Sequence, residues 1–410
     1  MKYKKYPQYK DSGVEWLGEI PENWLTTKVK YKVPYQVGWT PPTKVSENFD
    51  GKNKWVTIAD LKNRIINTTK SCISDVAAEQ ASMNITPKGS LLFSFKLSVG
   101  IVAFAGENLY TNEAIASFLK NENSSIHYLY YASPLFIVKN ASENIYGAKI
   151  LNQELISNAT LVLPSLEEQQ TIANYLDKAT VKIDTLIEKQ AKLIELLKEK
   201  RQAIISTAVT RGLDSSVPMK DSGVEWLGEI PEHWVVKKFK YSARIQGGKD
   251  QKEVLNDNGE YPVYGSGGIF GYANKYLYNG KSVLLGRKGT VDKPLYVQGA
   301  FWTVDTMYYT ILKNITVPKW FYYTSTTIKF DYYQYGSAIP SMTQEDLHNI
   351  YFSTPSKKEQ QKIATYLDYK TSKIDKLTRK SMKCIDLLKE KRTVLINSAV
   401  TGKIDVREIA

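Results

Sequence analysis

Two stretches of the chain carry an apolar stripe at helical spacing. In the first, Ile172, Leu176, Ala179, Ile183, Leu186, Gln190, Leu193 and Leu197 step by four and three residues, and Ile204 follows in phase. In the second, the matching positions are Ile363, Leu367, Lys370, Ile374, Leu377, Ser381, Cys384 and Leu388. Neither stretch contains Gly or Pro between an opening Pro-Ser and a closing Ala-Val-Thr, so each predicts a helix of about 45 residues, roughly 65 Å long. Ser165 with Glu168, and Ser356 with Glu359, have the spacing of a capping box at the first turn. A helix this long with one apolar stripe needs a partner, and the other copy is the natural one. The two are expected to pack antiparallel as a coiled coil, with Gln190 and Ser381 helping to fix register. A second apolar face, formed by Ile187, Ile194, Leu196, Ile205 and Val209, is left for another protein.

Between and before these helices the pattern changes to short runs of alternating aromatic and β-branched residues broken by Gly and Asn-Gly turns, as in "YPVYGSGGIFGY" and "KWVTIADL". The helical stretches are themselves a repeat, 164–210 aligning with 355–401 without a gap. A second repeat, "KDSGVEWLGEIPENW" at 10–24 and "KDSGVEWLGEIPEHW" at 220–234, differs only in Asn23 against His233. Constant pieces therefore alternate with two dissimilar strand-rich ones. The expected division is an N-terminal conserved segment 1–24, a first variable domain 25–163, a central helical arm 164–219, a second variable domain 220–354 with its repeated opening, and a C-terminal helical arm 355–410. The fold class is α+β: two mixed strand-rich globular domains separated by two long helices. The C-terminal helix ends where, by analogy with the middle of the chain, the 10–24 segment would follow. A cyclic pseudo-twofold arrangement is expected, with the chain termini close together.

Composition narrows the functional classes. Of the 410 residues, 55 are Lys or Arg and 42 are Asp or Glu, giving a net charge of +13 that points to a polyanionic partner. Two cysteines and three histidines (His127, His233, His348) are too few for a disulfide framework or a Cys/His zinc site. No run is apolar enough for a membrane span and no apolar core follows the basic start, so a cytoplasmic chain with no membrane partner is expected. The cluster Gly265, Gly267, Gly268, Gly271 is followed by another aromatic strand rather than a helix, which argues against a dinucleotide loop. Gly-x-Ser-x-Gly, His-Glu-x-x-His and Cys-x-x-Cys are all missing. The chain reads as a binding or scaffolding protein.

The alternating architecture, the "GEIPENW" and "GEIPEHW" openings and the arms "EQQTIANYLD" to "LLKEKRQAII" resemble the specificity subunit of type I restriction-modification systems over essentially the whole length. The resemblance implies two target-recognition domains, each reading one half of a bipartite site in double-stranded DNA. It implies helices that space these domains and dock two methyltransferase (modification) subunits, with restriction/translocase subunits joining the complex. No cofactor is expected on this chain; S-adenosylmethionine, ATP and Mg²⁺ belong to the partner subunits, and no metal or catalytic residue is assigned. A self-contained DNA-modifying enzyme, a scaffold without a DNA role, or an orphan subunit kept as a donor of recognition domains are the alternatives.

Base reading calls for side-chain donors and acceptors on loops. In the first domain the candidates are Trp39, Thr40 and Lys44 near its start, Lys96 and Ser98 in "SFKLSVG", and Lys149 and Asn152 near its end. In the second they are Gln246 and Lys249, then Arg287, Lys288, Thr290 and Lys293 in "GRKGTVDK", then Ser337 and Ser341. For partner binding the candidates are Lys200, Arg201, Lys391 and Arg392 in the two "LLKEKR" runs.

Overall fold

In a computed structural model the described residues are 4–143, 147, 149–332 and 340–408. The chain forms two compact units, one made of Met1–Lys189 with Cys384–Ala410, the other of Gln190–Lys383. The division passes through both long helices, Leu166–Arg211 and Lys357–Val400, so each unit holds part of each.

In the first unit the repeated opening segment forms a short antiparallel ladder, Tyr9–Asp11 against Glu19–Pro21, and buries Leu17, Ile20 and Trp24. The strands Leu25–Lys28 and Thr160–Leu163 then pair antiparallel, bringing the start and end of the domain together beside the first long helix. Between them lies a five-stranded sheet in the order Tyr35–Val37, Ile115–Phe118, Leu91–Ser94, Val102–Ala105, Ile65–Ile66. Its central strands are buried along their whole length, which is why "LLFS" and "IASF" read as continuous rather than alternating runs. The helix Ile126–Phe136 covers this sheet, its first turn capped by Ser125.

The second unit repeats the plan with a different sheet. Met219–Asp221 pairs with Glu229–Pro231, and Val235–Lys238 pairs with Tyr351–Thr354. Six strands follow in the order Ala243–Gly247, Met307–Leu312, Tyr278–Gly286, Leu295–Thr303, Tyr261–Gly265, Gly268–Ala273. The helix Pro318–Ser325, with Pro at its first position, takes the place of Ile126–Phe136.

The long helices run antiparallel in each unit taken alone. In the first, Ile183 and Ile187 share a core with Leu388, Leu395 and Ile396. In the second, Ile205 and Val209 share one with Ile363 and Leu367. The contact face departs from the expected one in part. Ile172, Leu176, Ile183, Leu197, Ile363, Leu367, Ile374 and Ser381 are buried as expected. Leu186, Leu193 and Leu377, however, are 47%, 41% and 51% exposed, while Thr180 and Thr371 are buried. Stepping by four and three from Leu176 fits either Ala179 or Thr180 before Ile183, and hydropathy alone favours the alanine. The threonines are tolerated inside because each hydroxyl donates to a carbonyl of its own helix, Thr180 to Leu176 and Thr371 to Leu367, both at 2.7 Å. Ile187, Ile205 and Val209, expected to be free, join the cores and Ile194 is half-buried; Leu196 remains exposed. Gln190 and Ser381 share no hydrogen bond among the described residues.

Polar ties between the helices come instead from arginine. Arg392 Nε donates to Asp184 at 2.9 Å in the first unit, and Arg201 Nε donates to Asp375 at 3.1 Å in the second. These are the same pair in the two repeats. The capping box is complete at the second helix, where Ser356 and Glu359 exchange bonds. At the first helix Glu168 turns away to accept from the Tyr6 hydroxyl at 2.7 Å.

The termini meet within the first unit, as expected. The Asp405 amide donates to the Lys4 carbonyl at 2.9 Å, Lys4 pairs with Glu408, and the Arg407 guanidinium lies 4.8 Å from the centre of the Tyr6 ring. Gly402 sits at φ +72° in the turn that ends the second long helix, where an added Cβ would fall 2.3 Å from Pro21. Among the described residues no helix is long and apolar enough to cross a membrane.

Candidate nucleic-acid interface

Three loops converge in each unit. In the first, the strand Tyr35–Val37 runs into Gly38, whose backbone packs so closely on Thr111 that an added Cβ would lie 1.7 Å from the carbonyl oxygen. Trp39 then donates its amide to the Thr111 carbonyl at 3.0 Å, and Trp55 Nε1 donates to the Trp39 carbonyl at 3.0 Å. The next side chain, Thr40, donates to the Glu113 carboxylate. The second loop follows Leu91–Ser94. Phe95 donates its amide to Ala114 at 3.0 Å, Ser94 Oγ donates to the Ser98 carbonyl, and Lys96 projects into solvent. Leu97, at φ +60°, is 94% exposed. The third loop ends at Asn152, which caps the helix Gln153–Asn158 by accepting from the Leu155 amide at 2.7 Å. A cavity of about 460 Å³ opens between the three, with Gly38, Lys96, Glu113, Asn152 and Gln153 in its wall.

The second unit builds the same constellation from other residues. Gly248 takes the place of Gly38, with an added Cβ 2.0 Å from the Val304 carbonyl oxygen. Lys249 donates its amide to Thr303 and accepts at its carbonyl from Trp302 Nε1, both at 3.0 Å, as Trp39 does with Thr111 and Trp55. Arg287 stands where Phe95 does: its amide donates to Thr306 at 2.9 Å and its Nη1 to the Asp305 carbonyl at 3.1 Å. Lys288 forms a β-bridge with Ser341, and Gly289 donates to the Pro340 carbonyl at 2.9 Å, so the second and third loops are laced together.

The structure thus brings together Thr40, Lys96 and Asn152 in one unit, and Lys249, Arg287, Lys288 and Ser341 in the other. Trp39 borders the first group and Ser98 closes its loop. Gln246, half-buried at the end of its strand, donates to the Ile245 carbonyl. Thr290 packs its carbonyl against Gly286, and Lys293 is exposed further along the same loop. Lys44 and Lys149 are exposed away from the cavity wall, and Ser337 lies outside the described residues. Of the helical candidates, Arg201 and Arg392 are committed to the inter-helix ion pairs, whereas Lys200 and Lys391 point outward.

Four side chains beside these loops escaped the sequence reading: Glu113, Asp305, Gln153 and Gln344. Gln344 Nε2 lies 4.0 Å from where a Cβ on Gly247 would be. A signal for the glutamines exists, since the 164–210 repeat continues upstream without a gap and pairs "NQE" at 152–154 with "TQE" at 343–345. His233, the residue that distinguishes the two opening segments, bonds Glu359 at 2.7 Å. Burial works against charge on Glu359, yet bonds from His233, Ser356 and Trp234 hold its carboxyl below the usual range. Among the described residues no group of three or more His, Cys, Asp or Glu is placed to hold a metal ion.

Two strand-rich units present matching loop sets from unlike sequences, beside long helices that are themselves a repeat. The chain belongs to the type I restriction modification DNA specificity domain family, matched over residues 21–196 and 231–383, and is the DNA specificity subunit, a non-catalytic component, of a type I restriction-modification system. It is 26% identical over its whole length to the MjaIX specificity subunit of Methanocaldococcus jannaschii, covering 99% of that protein. It is 24% identical to the MjaVIII specificity subunit of the same organism, over 95% of each. Among solved structures, a chain from work on complex assembly and conformational transition of the type I R-M system superposes with a TM-score of 0.75 at 15% identity, over 93% of this chain and 98% of that one. The HsdS subunit from Thermoanaerobacter tengcongensis gives 0.56, also at 15% identity, over 94% and 98%.

Proposed function

We propose that residues 25–163 and 235–354 each read one half of a bipartite site in double-stranded DNA, through the three loops gathered at the end of each sheet. The single observation that carries this reading is the equivalence of those loops. Gly38 and Gly248, Lys96 and Lys288, and Asn152 and Thr343 occupy matching positions, while the residues around them differ. Equal frames with unequal side chains are what two readers of different base sequences require. The conserved pieces 1–24, 164–219 and 355–410 act as the frame.

The helical arms dock two methyltransferase subunits, and through them the restriction/translocase subunits. Leu186 and Leu377, like Leu196 and Leu387, are exposed at equivalent positions of the two repeats, with Lys200 and Lys391 nearby. A pair of matched apolar surfaces suits two copies of one partner. S-adenosylmethionine, ATP and Mg²⁺ are then held by those subunits, and the complex works inside the cell, where its DNA is.

The test is base-modification sequencing of the genome in cells expressing this chain with its methyltransferase, repeated after exchanging residues 235–354 for another such domain. A bipartite methylated site of which one half changes supports the reading. A continuous site, or loss of both halves, refutes it.

A further inference from the structure

We propose that Glu113 in the first unit and Asp305 in the second are base-reading acceptors, each hydrogen-bonded to an exocyclic amino group of a nucleobase in the half-site its own domain contacts. This rests on the two-domain reading above and deepens it to named residues.

The two acids occupy one structural position. In the first unit the Trp39 amide bonds the Thr111 carbonyl and the Phe95 amide bonds the Ala114 carbonyl; Glu113 lies between these two anchors, just before the strand Ile115–Phe118. In the second, the Lys249 amide bonds Thr303 and the Arg287 amide bonds Thr306; Asp305 lies between them, just before Met307–Leu312. Two domains whose loops otherwise diverge both place a carboxylate here, in a chain where basic residues outnumber acidic ones by 55 to 42.

The chemistry of that position is restrictive. Lys96 and Lys288 follow directly along the adjoining loops, yet among the described residues neither Glu113 nor Asp305 forms an ion pair. The Asp305 carboxylate is exposed and carries no hydrogen bond among those residues, and Glu113 accepts one from Thr40. A free carboxylate facing duplex DNA is repelled by every phosphate and by the ring-nitrogen and carbonyl acceptors of the bases. The groups on DNA that can satisfy it are the amino groups of cytosine, adenine and guanine. Thr40 then acts on Glu113 as an orienting donor, fixing one carboxylate oxygen and leaving the other to read. Glu and Asp differ in reach by one methylene, so the two half-sites need not carry the amino group at the same depth.

The experiment is a binding selection from randomised duplexes, using the full chain in complex with its modification subunits, for the wild type, Glu113→Gln and Asp305→Asn. Glutamine keeps an acceptor for Thr40 while adding a donor, so a role confined to bracing the loop predicts no change. The expected result is a loss of about tenfold in preference at a single position, in one half-site for Glu113→Gln and in the other for Asp305→Asn. Wild-type preference at every position for both variants, or a uniform loss of affinity without a change in preference, overturns the proposal. Asp305 is exposed, so its variant remains informative if Glu113→Gln lowers the melting temperature. Exchange of residues 25–163 in the same selection separates the two claims. If the exchange leaves both half-sites unchanged, the two-domain reading itself fails; if it changes one half and the point variants change nothing, only the present proposal does.

Discussion

In each unit a tyrosine hydroxyl on the helix that covers the sheet ties that helix to a long helix, and removing that hydroxyl should loosen the unit without emptying its core. In the second unit Tyr323, buried in the helix Pro318–Ser325, donates to Asp368 Oδ1 at 2.7 Å and lies 3.1 Å from Thr371 Oγ1. In the first, Tyr131 makes the same bonds to Asp177 at 2.5 Å and Thr180 at 3.2 Å. Burial raises both phenols above their ordinary range, so they stay protonated donors at any physiological pH. A buried hydrogen bond to a charged acceptor contributes about 1.5–3 kcal/mol. The Asp368 side chain is 45% exposed and has Lys319 Nζ at 3.3 Å, so it is partly resolvated when the tyrosine hydroxyl goes. Tyr323→Phe is therefore expected to cost about 1 kcal/mol. Hydrogen exchange resolves the two units where a single unfolding curve would not. Amides of Pro318–Ser325 should lose protection in Tyr323→Phe, those of Ile126–Phe136 in Tyr131→Phe, and neither variant should affect the other unit. A double-mutant cycle of Tyr323→Phe with Asp368→Asn should give a coupling of about 1 kcal/mol. Additivity to within about 0.3 kcal/mol would show that the latch is packing alone.

Three further outcomes follow from the geometry. Gly38→Ala drives a Cβ into the Thr111 carbonyl and should cost more than about 2 kcal/mol by denaturant titration, or abolish DNA binding by the first unit while sparing the second. Lys96→Ala should reduce the slope of log affinity against log salt by about 0.9 if Lys96 meets a phosphate, and leave it unchanged if it does not. Asp405 is hydrogen-bonded by the Arg407 guanidinium, which holds its carboxyl below the usual range. Its folded value lies below its unfolded one, so its contribution is full well above the ordinary aspartate range and is lost as pH falls through the depressed value. Asp405→Asn should flatten the acid limb of a melting-temperature profile and leave the neutral region only slightly lowered.

The helices and the frame were legible because their signals are local and doubled. Expected spans of 164–210 and 355–401 compare with Leu166–Arg211 and Lys357–Val400. Of the opening segment's apolar residues, Leu17, Ile20 and Trp24 and their counterparts Leu227, Ile230 and Trp234 are buried, while Trp16 is 41% exposed beside Phe136. The helix contact was legible only in part: Ile172, Leu176, Ile183 and Leu197 are buried as expected, but Leu186 and Ile187 are equally apolar and the burial of Thr180 depends on a hydrogen bond that hydropathy does not see. The ion pairs of Arg201 and Arg392, offered above as partner-binding candidates, were not legible because their acidic partners lie far away in sequence. The loop anchors Lys96, Arg287 and Lys288 could be found by residue type, but Glu113 and Asp305 could not. A search for binders of a polyanion passes over acids, and only the shared backbone anchors reveal that they correspond.

The first unit is drawn from both ends of the chain, Met1–Lys189 and Cys384–Ala410, whereas the second is one continuous stretch. On the ribosome this imposes an order. The second unit has all its residues available before the first does, and the first must hold Ile183, Ile187 and the Leu25–Leu163 ladder without their covering helix until the last residues emerge. At about 5–20 residues per second that wait lasts on the order of ten to forty seconds, long enough for a chaperone or a waiting subunit to occupy the vacant face. The bridge between Lys4 and Asp405 is then among the final contacts made, and emergence of the 384–410 segment is the step that completes the first unit.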